Sequence, residues 1–260
     1  MELDPNGRVA WICGATGAIG SATAAALAAE GVALALSARD EHALRRLADD
    51  IGSTSRGTVA LFPLDVGSRE PVDRAAARIV AEFGRIDLLV NTTASPIFGD
   101  FLLLPDADWE GVFQAKYFGY MRTMRAVIPH MTARGAGSIV NISGRGGHQP
   151  SSASHLPGSS ANAAVNLLTK GLANIYGRQG IRINAVAPGP ITSPRFDKIA
   201  AANQSIARLS GVGEGRAGTN FAGMGQPADI AAIVVFLASH RSAHLNGIVV
   251  QADGGSTASL

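Results

Sequence analysis

The sequence predicts an α/β fold: a doubly wound parallel sheet of about seven strands, helices on both faces, in a single domain spanning residues 1–260. Three observations carry this. Short apolar runs alternate with helical patterns from end to end, which implies parallel strands joined by crossover helices. A glycine-punctuated turn joins the first strand to the first helix. No linker, low-complexity tract or clear repeat divides the 260 residues, a length at which α/β folds are commonly one domain.

The elements follow in order. Val9-Ala10-Trp11-Ile12-Cys13 is a continuous apolar run and reads as a fully buried strand. Gly14, Gly17 and Gly20 come next, and the alanine-rich stretch Ser21 to Glu30 reads as a helix. Val32 to Ala38 is the second strand, and Asp40 caps a helix that runs to Ile51. Thr58 to Phe62 is the third strand, Arg69 to Phe83 a helix, and Ile86 to Val90 the fourth strand. A single long helix is expected from Asp108 to Ala133, then a strand from Ser138 to Ile142. Ser159 to Tyr176 is helical, and Ile181 to Ala187 is the sixth strand. Pro227 opens a helix to Ser239, proline being favoured in a first turn, and Ile248 to Ala252 is the last strand.

Composition bounds the function. Apolar residues make up 47% and charged residues 16%, which indicates a packed core rather than disorder. No apolar run is long enough to span a membrane, and the N-terminus lacks the basic-then-apolar pattern of a secretory signal. Cys13 is the only cysteine, so no disulfide forms within the chain, and a cytoplasmic location is expected. The net charge is +2 with Lys and Arg scattered, so neither a nucleic-acid nor a membrane partner is expected, and no metal.

The glycine turn points to a phosphate-bearing ligand. Glycines let the backbone bend sharply and approach a pyrophosphate, and the helix N-terminus offers unpaired N–H groups and a positive dipole end. Ligands of such sheets bind beyond the carboxyl ends of the strands. Arg39 stands at the end of strand two, where a guanidinium can fork onto a 2′-phosphate; this favours NADP, while the adjacent Asp40 keeps NAD open. Asp65-Val66 ends strand three, and the carboxylate can accept from an adenine amino group. Asn91 ends strand four, where its amide can tie strands together or touch the cofactor. The loop Pro188-Gly189-Pro190-Ile191-Thr192-Ser193-Pro194 can place backbone groups beside a nicotinamide and a hydroxyl beside phosphate.

At this point the chain resembles the short-chain dehydrogenase/reductase family over nearly its whole length. The family's Thr-Gly-x-x-x-Gly-x-Gly appears as Cys13-Gly14-Ala15-Thr16-Gly17-Ala18-Ile19-Gly20, with Ala18 at the middle glycine. Asn-Asn-Ala-Gly appears as Asn91-Thr92-Thr93-Ala94. Ile183 to Pro190, Gly225-Gln226-Pro227-Ala228-Asp229-Ile230 and Asp253-Gly254-Gly255 match closely. The resemblance implies a Rossmann fold, a nicotinamide cofactor, and a homo-oligomer, commonly a tetramer, that packs its fourth and fifth helices between subunits. The apolar stretch from Ala161 to Leu172 fits such packing.

The catalytic positions depart from the family. Lys116 stands where its asparagine belongs, Gly144 at its serine with Ser143 one position early, Gly158 at its tyrosine and Asn162 at its lysine. Lysine and asparagine have thus exchanged places between two helices, which retains one cation and one amide in the pocket. The stretches Lys116 to Gly119 and Gly158 to Asn162 resemble a divergent branch that carries both changes and often has a tyrosine where this chain has His155.

Four groups are candidates for the proton that a reduced carbonyl needs. His155 precedes Asn162 by seven residues and shares its face if the helix reaches back that far; a solvated loop histidine is the alternative. Lys116 can act as acid or electrostatic stabiliser, and Ser143 can donate to a substrate oxygen or cap a turn. His148 and Arg145, in the Gly144–Gln149 loop, complete the set and can touch substrate or face solvent, and Asn162 is the amide paired with Lys116. Residues 195–223 stand where the family places its substrate lid, and Phe196, Ile199, Ile206, Leu209 and Phe221 suit an apolar pocket. The expected activity is reversible reduction of a ketone, or of an activated alkene, in a small to medium apolar substrate. A protein that binds the dinucleotide without turnover, and a lyase or isomerase that reuses the pocket, are the alternatives.

Overall fold

The computed structural model describes residues 7–52, 55–150, 152–210 and 223–257, with 207–210 as backbone only. Seven strands form one sheet in the order β3-β2-β1-β4-β5-β6-β7. They are β1 Val9–Cys13, β2 Ala33–Ser37, β3 Val59–Leu61, β4 Leu88–Asn91, β5 Gly137–Ile142, β6 Ile181–Pro188 and β7 Val249–Ala252. Every pairing is parallel. The order turns back on itself between β1 and β4, which makes the carboxyl end of β1 the topological switch point.

The apolar runs form strands because both of their faces are covered. Ala10 and Ile12 of β1 join a core with Leu27 of α1 (Ala18–Ala29) and Val234 of α8 (Pro227–Ala238). Val9, Trp11 and Cys13 face the other way, into a core with Ile79 of α3 (Arg69–Phe83), Met124 and Val165. Trp11 is fully buried and donates its indole N–H to Ser37 Oγ at 2.9 Å, so the bulkiest residue of the core leaves no polar atom unmet. Burial of this kind contributes about 1.5–3 kcal/mol per large apolar side chain.

Three expected elements differ. The long helix is interrupted: α4 (Asp106–Phe113) passes through a π-helical turn, Gln114–Phe118, into α5 (Gly119–Arg134). The extra residue of a π turn re-aims the side chains that follow it. Gly119 lets the turn sit against the end of β3, because a Cβ there would lie 2.7 Å from Val66 Cγ2. The fifth long helix, α6 (Leu156–Tyr176), starts at Leu156 with Pro157 in its first turn, earlier than expected. The segment read as a lid opens as a helix, α7 (Pro194–Ser210), in which Phe196, Ile199 and Ile206 are half-buried. The Leu209 side chain, Phe221 and residues 211–222 lie outside the described residues. The remaining helix is α2 (Glu41–Gly52). Among the described residues no helix is long and apolar enough to cross a membrane.

Candidate active site

The switch point is a steric cradle. Gly14 has φ +84°, and a Cβ on it would lie 2.7 Å from Thr92 Oγ1 and 2.9 Å from Thr93 N. A Cβ on Gly20 would lie 2.3 Å from Gly14 O, so α1 can pass this close to the turn only with glycine there. Gly17 is different: it is exposed, and a Cβ on it would meet only Gly14 O at 3.4 Å. The fold does not need glycine at 17, whereas a ligand approaching the backbone from outside does. Thr16 is exposed beside it, and Ala18 and Ile19 are half-buried in the first turn of α1, which carries no acidic residue and no side-chain cap. Its first N–H groups therefore have no partner within the helix.

Around the cradle the strand-end residues divide. Arg39 is exposed and makes no ion pair among the described residues. Asp40 Oδ1 accepts the Ala43 N–H at 3.0 Å, which commits that carboxylate to the start of α2. Asp65 is exposed with Oδ1 on the Gly67 N–H at 2.8 Å, and the Val66 carbonyl accepts from Arg122 at 3.1 Å. Asn91 ties strands, the first of the two roles open to its amide. It is fully buried, donates to Asn141 Oδ1 at 2.9 Å and accepts from Thr123 Oγ1 at 2.8 Å. Ser193 spends its hydroxyl at the start of α7, donating to Ile191 O and accepting the Phe196 N–H, each at 3.2 Å. That side chain is a helix cap first. Pro188 ends β6, and the Gly189 N–H bonds Ala252 O at 3.1 Å. A Cβ on Gly189 would lie 2.7 Å from the Asp253 backbone, and Ile191 bridges to Gly225.

Lys116 lies inside the protein. The π-helical turn points its side chain at the end of β5, where Nζ donates to Ile142 O at 2.8 Å, Ser143 O at 3.3 Å and Tyr120 Oη at 3.5 Å. It is 6% exposed. Burial, with the Arg195 guanidinium adding to it, brings the ammonium down to about 7. Tyr120 is fully buried, its hydroxyl near Ile142 O and Thr93 O, and burial pushes it well above the usual phenol range.

His155 is held by a guanidinium. A guanidinium has donors and no acceptor, so Arg195 Nη2 donates to His155 Nε2 at 3.1 Å. That nitrogen carries a lone pair, and the neutral ring keeps its proton on Nδ1. Burial first, then Arg195 and Lys116, push His155 down to about 3. Its backbone, φ −114° and ψ 23°, precedes the helix rather than belonging to it. Ser143 is 7% exposed, and its hydroxyl donates to Val186 O at 3.2 Å. His148 is exposed, while Arg145 is buried and donates to Ser256 O at 3.3 Å.

The two glycines at family catalytic positions are filled from elsewhere. A Cβ on Gly158 would lie 2.0 Å from His155 Nε2, so the imidazole occupies the space a tyrosine would start from. A Cβ on Gly144 would lie 2.7 Å from Asn162 Nδ2, so the amide occupies the space of a serine. Asn162 is 4% exposed, and its Oδ1 has no hydrogen-bond partner. Lys116 from the π turn and Asn162 from α6 thus both reach the Ile142–Gly144 strand end. Sequence inspection missed Arg195. It is the second residue of α7, forty positions from the histidine it holds, and no local pattern joins them.

A doubly wound parallel sheet with a glycine-lined turn at its switch point defines a nucleotide-binding class of α/β protein. The family model described as enoyl-(acyl carrier protein) reductase matches residues 14–257. The chain belongs to the short-chain dehydrogenase/reductase family, a family of oxidoreductases. It is 36% identical over 257 residues to the short-chain reductase protein NovJ of Streptomyces niveus, covering 95% of this chain and 93% of that one. It superposes with a TM-score of 0.87 on L-sorbose reductase from Gluconobacter frateurii, complexed with NADPH and L-sorbose, at 26% identity and 100% coverage of both chains. NAD+-bound xylitol dehydrogenase gives a TM-score of 0.88 at 25% identity, covering 96% of this chain and 99% of that one.

Proposed function

We propose that this chain is an NADP-dependent oxidoreductase that interconverts a carbonyl and an alcohol, or saturates an activated alkene, with Lys116 as its proton-exchanging group. The carrying observation is the buried Lys116 ammonium at the end of β5, brought to about 7 where the family's tyrosine is absent. The steric filling of Gly158 by His155 and of Gly144 by Asn162 supports a rebuilt site over a decayed one.

The residues present fit a dinucleotide. The Gly14–Gly20 turn and the first turn of α1 would hold the pyrophosphate, with Gly17 leaving the backbone open to it. Arg39 would receive a 2′-phosphate, since Asp40 is tied to α2 and the guanidinium is unpaired. Ile191 and the Pro188-Gly189 turn would flank the nicotinamide side, and Asp65-Val66 the adenine side. The cofactor, when bound, supplies a hydride. Reduction of a carbonyl leaves an alkoxide, and Lys116 Nζ holds the proton it needs. A donor whose pKa lies near the working pH exchanges that proton at little cost in either direction. Asn162 Oδ1, buried and unpartnered, accepts from the bound molecule. The lysine and the amide form one unit at the cofactor.

The proposal extends to a cytoplasmic homo-oligomer, a tetramer. Leu167 and Ile175 of α6 are 77% and 61% exposed, and a second copy would cover them. Light scattering reads the assembly. NADPH titration reads the cofactor: wild type binds NADPH more tightly than NADH, and Arg39→Ala shrinks the difference. Loss of NADPH absorbance with a ketone panel supports turnover. Tight cofactor binding with no turnover on a broad panel would instead favour a dinucleotide-binding protein, the reading that Gly158 in place of a tyrosine keeps open.

A further inference from the structure

Two cations share the candidate site, and among the described residues neither has a counter-ion. Arg195, half-buried in the first turn of α7, donates through Nη1 to Ser95 O at 2.5 Å and through Nη2 to His155 Nε2 at 3.1 Å. Its Cζ lies 5.0 Å from the centre of the Phe98 ring. Lys116 donates to two backbone carbonyls and the Tyr120 hydroxyl. All of these acceptors are neutral. Among the described residues no carboxylate pairs with either cation. Arg195 lies close enough to disfavour the Lys116 ammonium, and both disfavour a charge on His155 between them in the chain. Buried charges are ordinarily paired, because an unpaired one loses its hydration without return.

The fold holds Arg195 there without an acid. Ser152 Oγ and Ser154 Oγ bond Asn203 Oδ1 at 2.8 and 2.7 Å, which docks α7 on the turn Ala153–His155. The two donations to Ser95 and His155 use two of the five N–H donors of a guanidinium.

We propose that the missing charge is the substrate's: a carboxylate that takes the unused N–H donors of Arg195, on a molecule whose reacting carbonyl lies toward Lys116. The substrate is then an oxo acid, and the product of its reduction a hydroxy acid. The carbonyl carbon gains a hydride from NADPH, its oxygen gains a proton, NADP+ is formed, and the carboxylate is unchanged. A planar guanidinium fork matches a carboxylate edge. Phe98, tilted against His155 at 5.4 Å between ring centres, gives the carbon skeleton an apolar wall. This rests on the redox assignment above, and it replaces the wholly apolar substrate expected from sequence.

The test uses the full chain with acetoacetate, levulinate and phenylpyruvate, each against its methyl ester. Calorimetric affinity and NADPH oxidation are read separately. The acids should bind about tenfold or more tightly than the esters, the range for a charge-assisted hydrogen bond. Arg195→Gln should abolish that preference with NADPH affinity within about twofold of wild type, and Arg195→Lys should recover part of it. Equal binding of acids and esters, or binding of neither, overturns the proposal. So does inorganic phosphate that binds more tightly than the acids, or a loss of NADPH affinity in Arg195→Gln as large as the loss for the acids. Acids that bind with the expected preference yet oxidise no NADPH leave the carboxylate site standing and refute the redox assignment.

Discussion

Replacing Lys116 with methionine should make the protein more stable at acid pH and remove a distinctive pH dependence. In the folded protein the ammonium drops from 10.5 to about 7, with burial as the leading cause. A lowered amine means that the folded state prefers the neutral form. Between about 7 and 10.5 the unfolded chain binds one more proton than the folded one, so stability rises with pH at about 1.4 kcal/mol per unit. The full contribution is present above 10.5 and is lost as the pH falls to about 7, a ceiling of about 4–5 kcal/mol. Methionine keeps the stem and the volume without the charge. Its cost is the donor it removes. Ser143 O loses a partner, whereas Ile142 O keeps the Tyr120 hydroxyl at 2.9 Å, so about 1–2 kcal/mol is forfeited. Lys116→Met should therefore be more stable than wild type by about 2–3 kcal/mol near pH 6, and the advantage should vanish toward pH 10. Urea unfolding of both proteins, followed by circular dichroism at one protein concentration, reads the difference curve. A difference that stays flat with pH would refute both the burial of the charge and its consequence.

Three further outcomes test the site. The rate of carbonyl reduction needs Lys116 protonated, so kcat should fall as the pH rises through about 7, and Lys116→Met should flatten that limb; a limb that survives the substitution assigns the proton to another group. Gly158→Ala puts a methyl 2.0 Å from His155 Nε2 and should cost about 1–3 kcal/mol in thermal unfolding, most of which His155→Ala in the same chain restores; losses that simply add would show that the two do not share one space. Lys116→Asn and Asn162→Lys should each weaken NADPH binding, and the double exchange should recover it, so additive effects on the titrated affinity would separate the two residues.

The strands and most helices were legible because their information is local. Val9–Cys13 is apolar on both faces, a pattern that few structures other than a covered parallel strand satisfy. The boundaries moved where packing decided them. The expected helix from Asp108 breaks into a π turn because Gly119 meets Val66 from another strand end, a contact 53 positions away in the chain. The sequence offered His155, Lys116 and Ser143 among its proton-donor candidates. In the structure the Ser143 hydroxyl meets a backbone acceptor on β6, and the His155 ring a guanidinium on α7.

By itself the sequence determined the fold class, the order of its elements and the glycine turn. Each of these follows from residue types and spacings along the chain. Only the tertiary structure decided which titratable groups carry a proton near neutrality. A pKa depends on burial and on charges brought close by folding. Lys116, His155 and Arg195 come from three separate segments, and their separations along the chain say nothing of their separations in space. The same physics explains why Gly144 and Gly158 read as losses in sequence and as filled space in the structure. The atoms that replace the missing side chains, Asn162 Nδ2 and His155 Nε2, arrive from positions that only the folded backbone defines.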